Sequence, residues 1–181
     1  MKLSITLFAF LLIFNVGHAQ LDTATFRKNL YANMDSMMVY FKTNKWDKYV
    51  EYMHPALMEK SGGKDSLANL IGKQMEAIGG LELVAFKPGK LLQLFKVRDT
   101  LQGVVQSFYE MKIQDVTIAV ASYDVVTSTD GVRWTFTTID NPDLVKMLLP
   151  LLSPEMKFPK KTVLPDITLD EFMKTYQIEY F

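Results

Sequence analysis

Histidine, cysteine and the acids set what chemistry this chain can do, and it is sparing with the first two. There are 2 His, 0 Cys and 20 acidic residues in 181. His54 sits in W-D-K-Y-V-E-Y-M-H-P, at the end of a helical stretch and directly before Pro55. An imidazole there can act as a general acid or base, and it can equally close a helix C-terminus by hydrogen-bonding orphan carbonyls. Asp140 ends the run W-T-F-T-T-I-D. Period-two alternation gives it the parity of Trp134, Phe136 and Thr138, so its carboxylate is expected at the mouth of whatever that face encloses, unless it holds the turn into Asn141-Pro142. Tyr123, Tyr109 and Tyr52 can each donate a hydrogen bond to a ligand oxygen, or pack a ring and keep the hydroxyl wet.

Metal and cofactor chemistry finds little support in these residue types. If His18 leaves with a leader, a single His and no Cys cannot assemble the usual zinc sets, and no D-x-D-x-D-G calcium loop is present. Gly62-Gly63-Lys64 lacks the preceding glycine of a phosphate loop, and Asp65 follows the lysine. No G-x-S-x-G elbow or H-E-x-x-H helix occurs. The expectation is no metal and no cofactor.

The N-terminus has the pattern of an export signal. Met1-Lys2 is followed by an almost unbroken apolar run from Leu3 to Val16, then Gly17-His18-Ala19 before Gln20. That run is shorter than the roughly 20 residues a bilayer-spanning helix needs, so cleavage after Ala19 and a periplasmic or secreted protein are expected, with no transmembrane segment remaining. Without Lys2, 19 basic residues face 20 acidic ones, a balance of about minus one that offers no footprint for nucleic acid. A cysteine-free exported protein must rely on its core, which 49% hydrophobic content in one domain-sized chain can supply.

The elements that would position these residues come in a helices-then-strands order. Phe26, Leu30, Met34, Met37, Met38 and Phe41 recur at helical spacing, predicting a helix over about 23–42. Trp46, Tyr49, Val50 and Met53 predict a shorter one ending at His54-Pro55. Leu67, Leu70, Ile71, Met75 and Ile78 predict a third, stopped by Gly79-Gly80. From Leu81 the period changes to two, with strands expected at 81–87, 91–97, 101–113, 117–128 and 132–139, divided at Pro88-Gly89, Arg98-Asp99, Gln114-Asp115 and Asp130-Gly131. Such short connections make neighbours antiparallel, and the order predicts an α+β fold with the helices on one face of a curved sheet.

The hairpin around Asp130-Gly131 is the strongest local signal in the chain. With a loop of two or four residues, Tyr123 and Val125 share a face with Trp134 and Phe136, opposite Met34, Met38 and Phe41 of the first helix. Tyr123, Trp134, Phe136, Met38 and Phe41 are therefore the expected walls of an apolar interior. Further on, Asn141-Pro142 opens a short helix to about Leu149, 153–165 is expected as an extended surface strap, and Thr168 to Glu171 forms a capping box with Phe172, Met173 and Tyr176 on one helical face.

The long first helix, W-D-K-Y-V-E-Y-M-H-P, the S-G-G-K break at Ser61 to Lys64 and the strand ending W-T-F-T-T-I-D together resemble the nuclear transport factor 2-like superfamily, and within it an exported branch of the Bacteroidetes type. The resemblance covers about Leu21 to Pro159. It implies a cone: three N-terminal helices packed in a strongly curved antiparallel sheet, of the cystatin-like kind, with a mouth leading to an apolar interior. The domain plan becomes a signal peptide at 1–19, a single cone-fold domain at 20–162 and a C-terminal extension with a short helix at 163–181. The superfamily holds ketosteroid-isomerase-like and polyketide-cyclase-like enzymes as well as binding and dimerisation modules, so it implies a pocket more firmly than a reaction.

Three functions follow as expectations: a module binding a small hydrophobic molecule, an interaction or homodimerisation module, or a lyase or isomerase using His54, Asp140 or a tyrosine. A filled interior favours interaction, a dry apolar cavity favours binding, and a deep pocket with at least two convergent polar groups favours an enzyme.

Overall fold

The computed structural model describes residues 23–139, 145, 147 and 151–176. The leader at 1–19, Asp140, most of the expected helix at 142–149 and the terminal Tyr180-Phe181 lie outside the described residues. Among those described, the fold is α+β, with helices first and an open five-stranded antiparallel sheet after them.

Helix α1 spans Thr23–Lys42 and buries Leu30, Met34, Met37 and Met38, the stripe its three- and four-residue spacing dictates. Helix α2, Trp46–Tyr49, runs into a 3-10 turn at Val50–Tyr52. Helix α3 spans Pro55–Lys60, with Pro55 at its first position. Helix α4, Lys64–Ile78, ends at a left-handed Gly79.

Strands β1 (Leu81–Val97), β2 (Thr100–Ile113) and β3 (Val116–Ser128) form a meander joined at Arg98-Asp99 and Gln114-Asp115. Pro88-Gly89 does not divide β1 into two strands as the sequence pattern suggested. Register shifts fall between Leu83 and Ala85 and on both sides of Leu91, so β1 is one long irregular strand. It lies at the sheet edge, where a proline costs no ladder bond, and Gly89 fits because a Cβ there would stand 2.8 Å from the Phe108 ring.

Strand β3 is the centre of the sheet. One side pairs along its whole length with β2; the other side is shared end to end by β4 (Thr135–Thr138) and β5 (Thr162–Pro165). The strap expected on the surface thus contributes a strand.

The chain between β3 and β4 overturns the expected face assignment. The pairs are Val126 with Phe136 and Asp124 with Thr138, so an odd-length connection separates the strands and Tyr123 and Val125 turn to the opposite face. The cause is local. Asp130 Oδ1 accepts from the backbone N–H of Val132 (2.8 Å) and Arg133 (2.9 Å), Ser128 Oγ accepts from Gly131 N–H (2.9 Å), and Gly131 takes a φ of +71°. This side-chain-built turn replaces a tight hairpin. Helix α1 then clamps it, with Asn29 Nδ2 donating to Gly131 O and Asn33 Nδ2 to Val132 O, both at 3.0 Å.

Both faces of the sheet are covered. Leu30, Met34 and Met37 pack with Val105, Val126 and Phe136 on the helix side. On the other, Leu152 and Met156 meet Val104 and Val125, while helix α5 (Leu169–Thr175) lays Leu169, Phe172 and Met173 over Phe108, Ala119 and Ala121. Two-sided burial explains why β2 and β3 are buried or half-buried along most of their length, including Gln102, Ser107, Ser122 and Asp124. Gln102 and Gln93 fasten the strap by using their amides as a strand uses its backbone, each giving Nε2–H to one carbonyl (Leu151, Lys157) and taking a backbone N–H (Ser153, Lys157) at 2.7–2.9 Å.

Candidate functional site

Between the helices and the sheet the packing stops short and leaves a cavity of about 460 Å³. Its walls come from every layer. Helix α1 gives Met37, Met38 and Phe41, α2 gives Tyr49, and Met53 follows the 3-10 turn. The last turn of α4 gives Met75 and Ile78, which reach the rim together with Leu81 and Ile113 from the adjoining strand ends. Ile78 is 44% exposed, whereas Met37, Leu83, Val120 and Phe136 are buried, so the cavity runs inward from the open end of α4 towards the middle of β3.

The inner wall is polar. Asp124 on β3 is 1% exposed and faces the cavity beside Ser122, with Tyr109 and Thr138 from the flanking strands. Its Oδ2 accepts from Ser107 Oγ at 2.5 Å and, at a long 3.5 Å, from the Tyr109 hydroxyl; its Oδ1 accepts from Thr138 Oγ1 at 2.8 Å. Three hydroxyl donors thus converge on this one carboxylate. Register makes this possible, because Asp124 stands opposite Thr138 on one side and Val105 on the other, next to Ser107.

The charge is felt by the tyrosines. Burial, and after it the negative charge of Asp124, raise the pKa of both Tyr49 and Tyr109 well above the ordinary phenol value. Both stay protonated donors. Tyr49 stacks edge-on against Phe41 at 5.4 Å and Trp46 at 6.1 Å, which fixes its ring. Ser122 Oγ, in a residue 2% exposed, has no hydrogen-bond partner among the described residues, and neither does Thr137 Oγ1 on the opposite face. An unpaired buried hydroxyl costs free energy on the order of 1–3 kcal/mol, so such a group facing an unfilled space is a place where a ligand or water gains a bond.

The residues singled out in the sequence fare differently. Met38, Phe41 and Phe136 line the cavity, as does Tyr109. Trp134 is fully buried behind it, its indole N–H donating to Gly131 O at 3.3 Å, and it takes no part in the lining. Tyr123 lies on the far face with Val104, Val125 and Leu152, for the register reason given above, so it is no wall of this site. Tyr52 packs near Tyr40, away from the lining.

His54 caps the start of α3 rather than closing the helix before it. The residue before proline is held extended, here at φ −61° and ψ 135°, which is also the N-cap conformation, and its Nδ1 accepts from Ala56 N–H at 3.2 Å. Burial lowers its pKa, and it does not line the cavity. Asp140 lies outside the described residues.

The sequence reading passed over Asp124, Ser122 and Tyr49. A signal for the first was present: in I-A-V-A-S-Y-D-V-V a lone acid interrupts an otherwise buried strand pattern, and buried acids are rare unless held by partners. Among the described residues, no three of His, Asp and Glu stand together as metal ligands. No family model, curated protein or solved structure matches the chain.

Proposed function

We propose that this protein binds a small, mostly apolar molecule in the cavity between its helices and sheet. The observation that carries the reading is the cavity itself: about 460 Å³, inside the roughly 300–1,000 Å³ range of ligand pockets, with methionine and aromatic walls and a few convergent polar groups at its inner end. Methionines adapt to irregular apolar shapes, and Met37, Met38, Met53 and Met75 all contribute. A filled interior would have favoured an interaction module, and the sheet face available to a partner carries the chain's own C-terminal segment.

The proposal includes the cone architecture of the nuclear transport factor 2-like superfamily, which the helix-first order and the irregular long β1 support, and export, which the leader-like Met1 to Ala19 supports. Among the described residues no helix is long and apolar enough to cross a membrane.

A second reading, a lyase or isomerase, is favoured by one observation: Asp124, Tyr49 and Tyr109 converge on the same space. Asp124 would then be the charged group and the tyrosines the donors, in place of His54 and Asp140.

A neutral solvatochromic dye titrated into the folded protein tests binding. The dye is expected to brighten and shift to the blue, and Val120→Phe, which projects a ring from the cavity wall, is expected to abolish the signal while Lys160→Ala leaves it intact. A dye that ignores the folded wild type would remove the ligand reading.

A further inference from the structure

We infer that the exposed face of α1, together with the groove between it and the outer edge of β1, is a docking surface for a second copy of this chain, the two α1 helices lying antiparallel about a two-fold axis.

Helix α1 buries one stripe and leaves another open. Ala32, Asp35, Val39 and Lys42 recur at three- and four-residue spacing, all of them exposed, and form a second seam along the helix. Val39, in the middle of that seam, is 59% exposed. Beside it α1 and β1 leave a groove of about 320 Å³, with Met38, Val39, Val84 and Phe86 among its walls. An apolar side chain thus stands next to an apolar hollow. A two-fold axis suits such a pair, because it lays the Val39 of each copy over the groove of the other.

The charges select the partner and its direction. Asp35 and Lys42 also line the groove, and along the helix they lie about 5 Å to either side of the point midway between residues 38 and 39. Antiparallel pairing about that point sets Asp35 of one copy against Lys42 of the other, and does so twice. Parallel pairing would set like charges together. Asp35 takes part in no ion pair among the described residues, and Lys42 Nζ gives only a long 3.4 Å bond to Val84 O. A surface that matches this seam must carry acid, apolar residue and base in the reverse order, which the same helix run backwards supplies.

Addition of a strand to β1 is the rival mode, and that edge is poorly suited to it. The Tyr31 hydroxyl donates to Gly89 O at 3.0 Å, Lys42 reaches Val84 O, and the ladder shifts register between Leu83 and Ala85. An irregular edge plugged by side chains resists a further strand. Met38 and Leu83 line the groove and the cavity alike, so pairing would back the cavity wall, but it requires no ligand inside.

Sedimentation equilibrium at low ionic strength, with a circular-dichroism melt to check that each variant folds, tests the pairing. Two helical turns and a strand rim make a small interface, so wild type is expected to dimerise weakly, with a Kd on the order of 100 μM. Asp35→Lys and Lys42→Asp are each expected to weaken this by at least about tenfold, since the pair occurs twice per dimer and each reversal replaces attraction with repulsion. An equimolar mixture of the two variants is expected to associate at least as tightly as wild type, because one chain then presents two cations at positions 35 and 42 and the other two anions. Val39→Glu is expected to weaken the wild-type dimer and stands as a separate test should a charge variant fold poorly. Wild type that stays monomeric at about ten times the expected Kd overturns the inference. So does a dimer indifferent to these substitutions, which would place the contact on another face, or a mixture no tighter than its components, which would assign the seam to a different protein.

Discussion

Truncating Phe172 tests whether the C-terminal helix is part of the domain or an appendage. Phe172 is 2% exposed, its ring lies 6.3 Å from that of Phe108 and 4.8 Å from that of Tyr176, and Leu169 and Met173 flank it in the same buried cluster. Phe172→Ala removes a full ring from a closed site, a change that costs about 3–5 kcal/mol when the cavity cannot collapse. For a chain of this length each kcal/mol moves Tm by roughly 2–4 °C, so the melt should fall by about 6–20 °C. The upper bound is set by local undocking: if α5 detaches for less than the mutational cost, the loss stops at the undocking free energy. Undocking is resisted by the Thr168–Glu171 capping box, by Leu169 N–H donating to Glu110 Oε2 at 2.8 Å, and by the pairing of β5 with β3. Differential scanning calorimetry gives the shift, and limited proteolysis after Pro165 separates global from local loss. Tyr176→Ala is the control, since Tyr176 is 52% exposed. Equal shifts for the two variants would mean that α5 is not docked through Phe172.

Two further outcomes are expected. His54 has its pKa lowered by burial and accepts a hydrogen bond at Nδ1, so the folded state prefers the neutral ring. Its contribution is fully present above the unfolded value of about 6.5 and is lost as pH falls through the lower folded value; His54→Asn keeps an N-cap acceptor and should flatten stability against pH in that window, measured by urea denaturation, whereas His54→Ala should cost about 0.5–2 kcal/mol at neutral pH. Gly131→Ala combines a φ of +71° with a Cβ only 2.3 Å from the Phe26 ring. It should destabilise by more than about 1 kcal/mol in the same assay, and a neutral result would contradict the close approach of α1 to this turn.

Much of the fold was legible because its signals are local. The stripe of α1, the glycine stop after Ile78, the two tight turns of the meander and the capping box before Leu169 each state their structure within a few residues. The site was less legible because it depends on a register. Asp130-Gly131 announces a tight turn, yet Asp130 and Ser128 each capture backbone N–H groups and lengthen the connection by an odd number, which moves Tyr123 out and Asp124 in. A single-residue difference in a loop thus exchanges a tyrosine wall for a buried carboxylate. Pairings far apart in sequence, such as β5 with β3, leave no periodic trace at all.

Three departures of this chain from good packing practice lie together. The buried carboxylate of Asp124, the unpartnered hydroxyl of Ser122 and the unfilled space of about 460 Å³ are neighbours on one wall, while the opposite face of the same strands is closed by Phe172, Leu169 and Met156. A stability-driven sequence would place valine or leucine at 122 and 124, as it does at Val120 and Val126 on the same face. Thr137 Oγ1, opposite Val125 on the other face, is also without a partner among the described residues but does not line the cavity. The three that adjoin the cavity, with the other face and the C-terminal strap supplying compensating burial, are what the proposed ligand site requires.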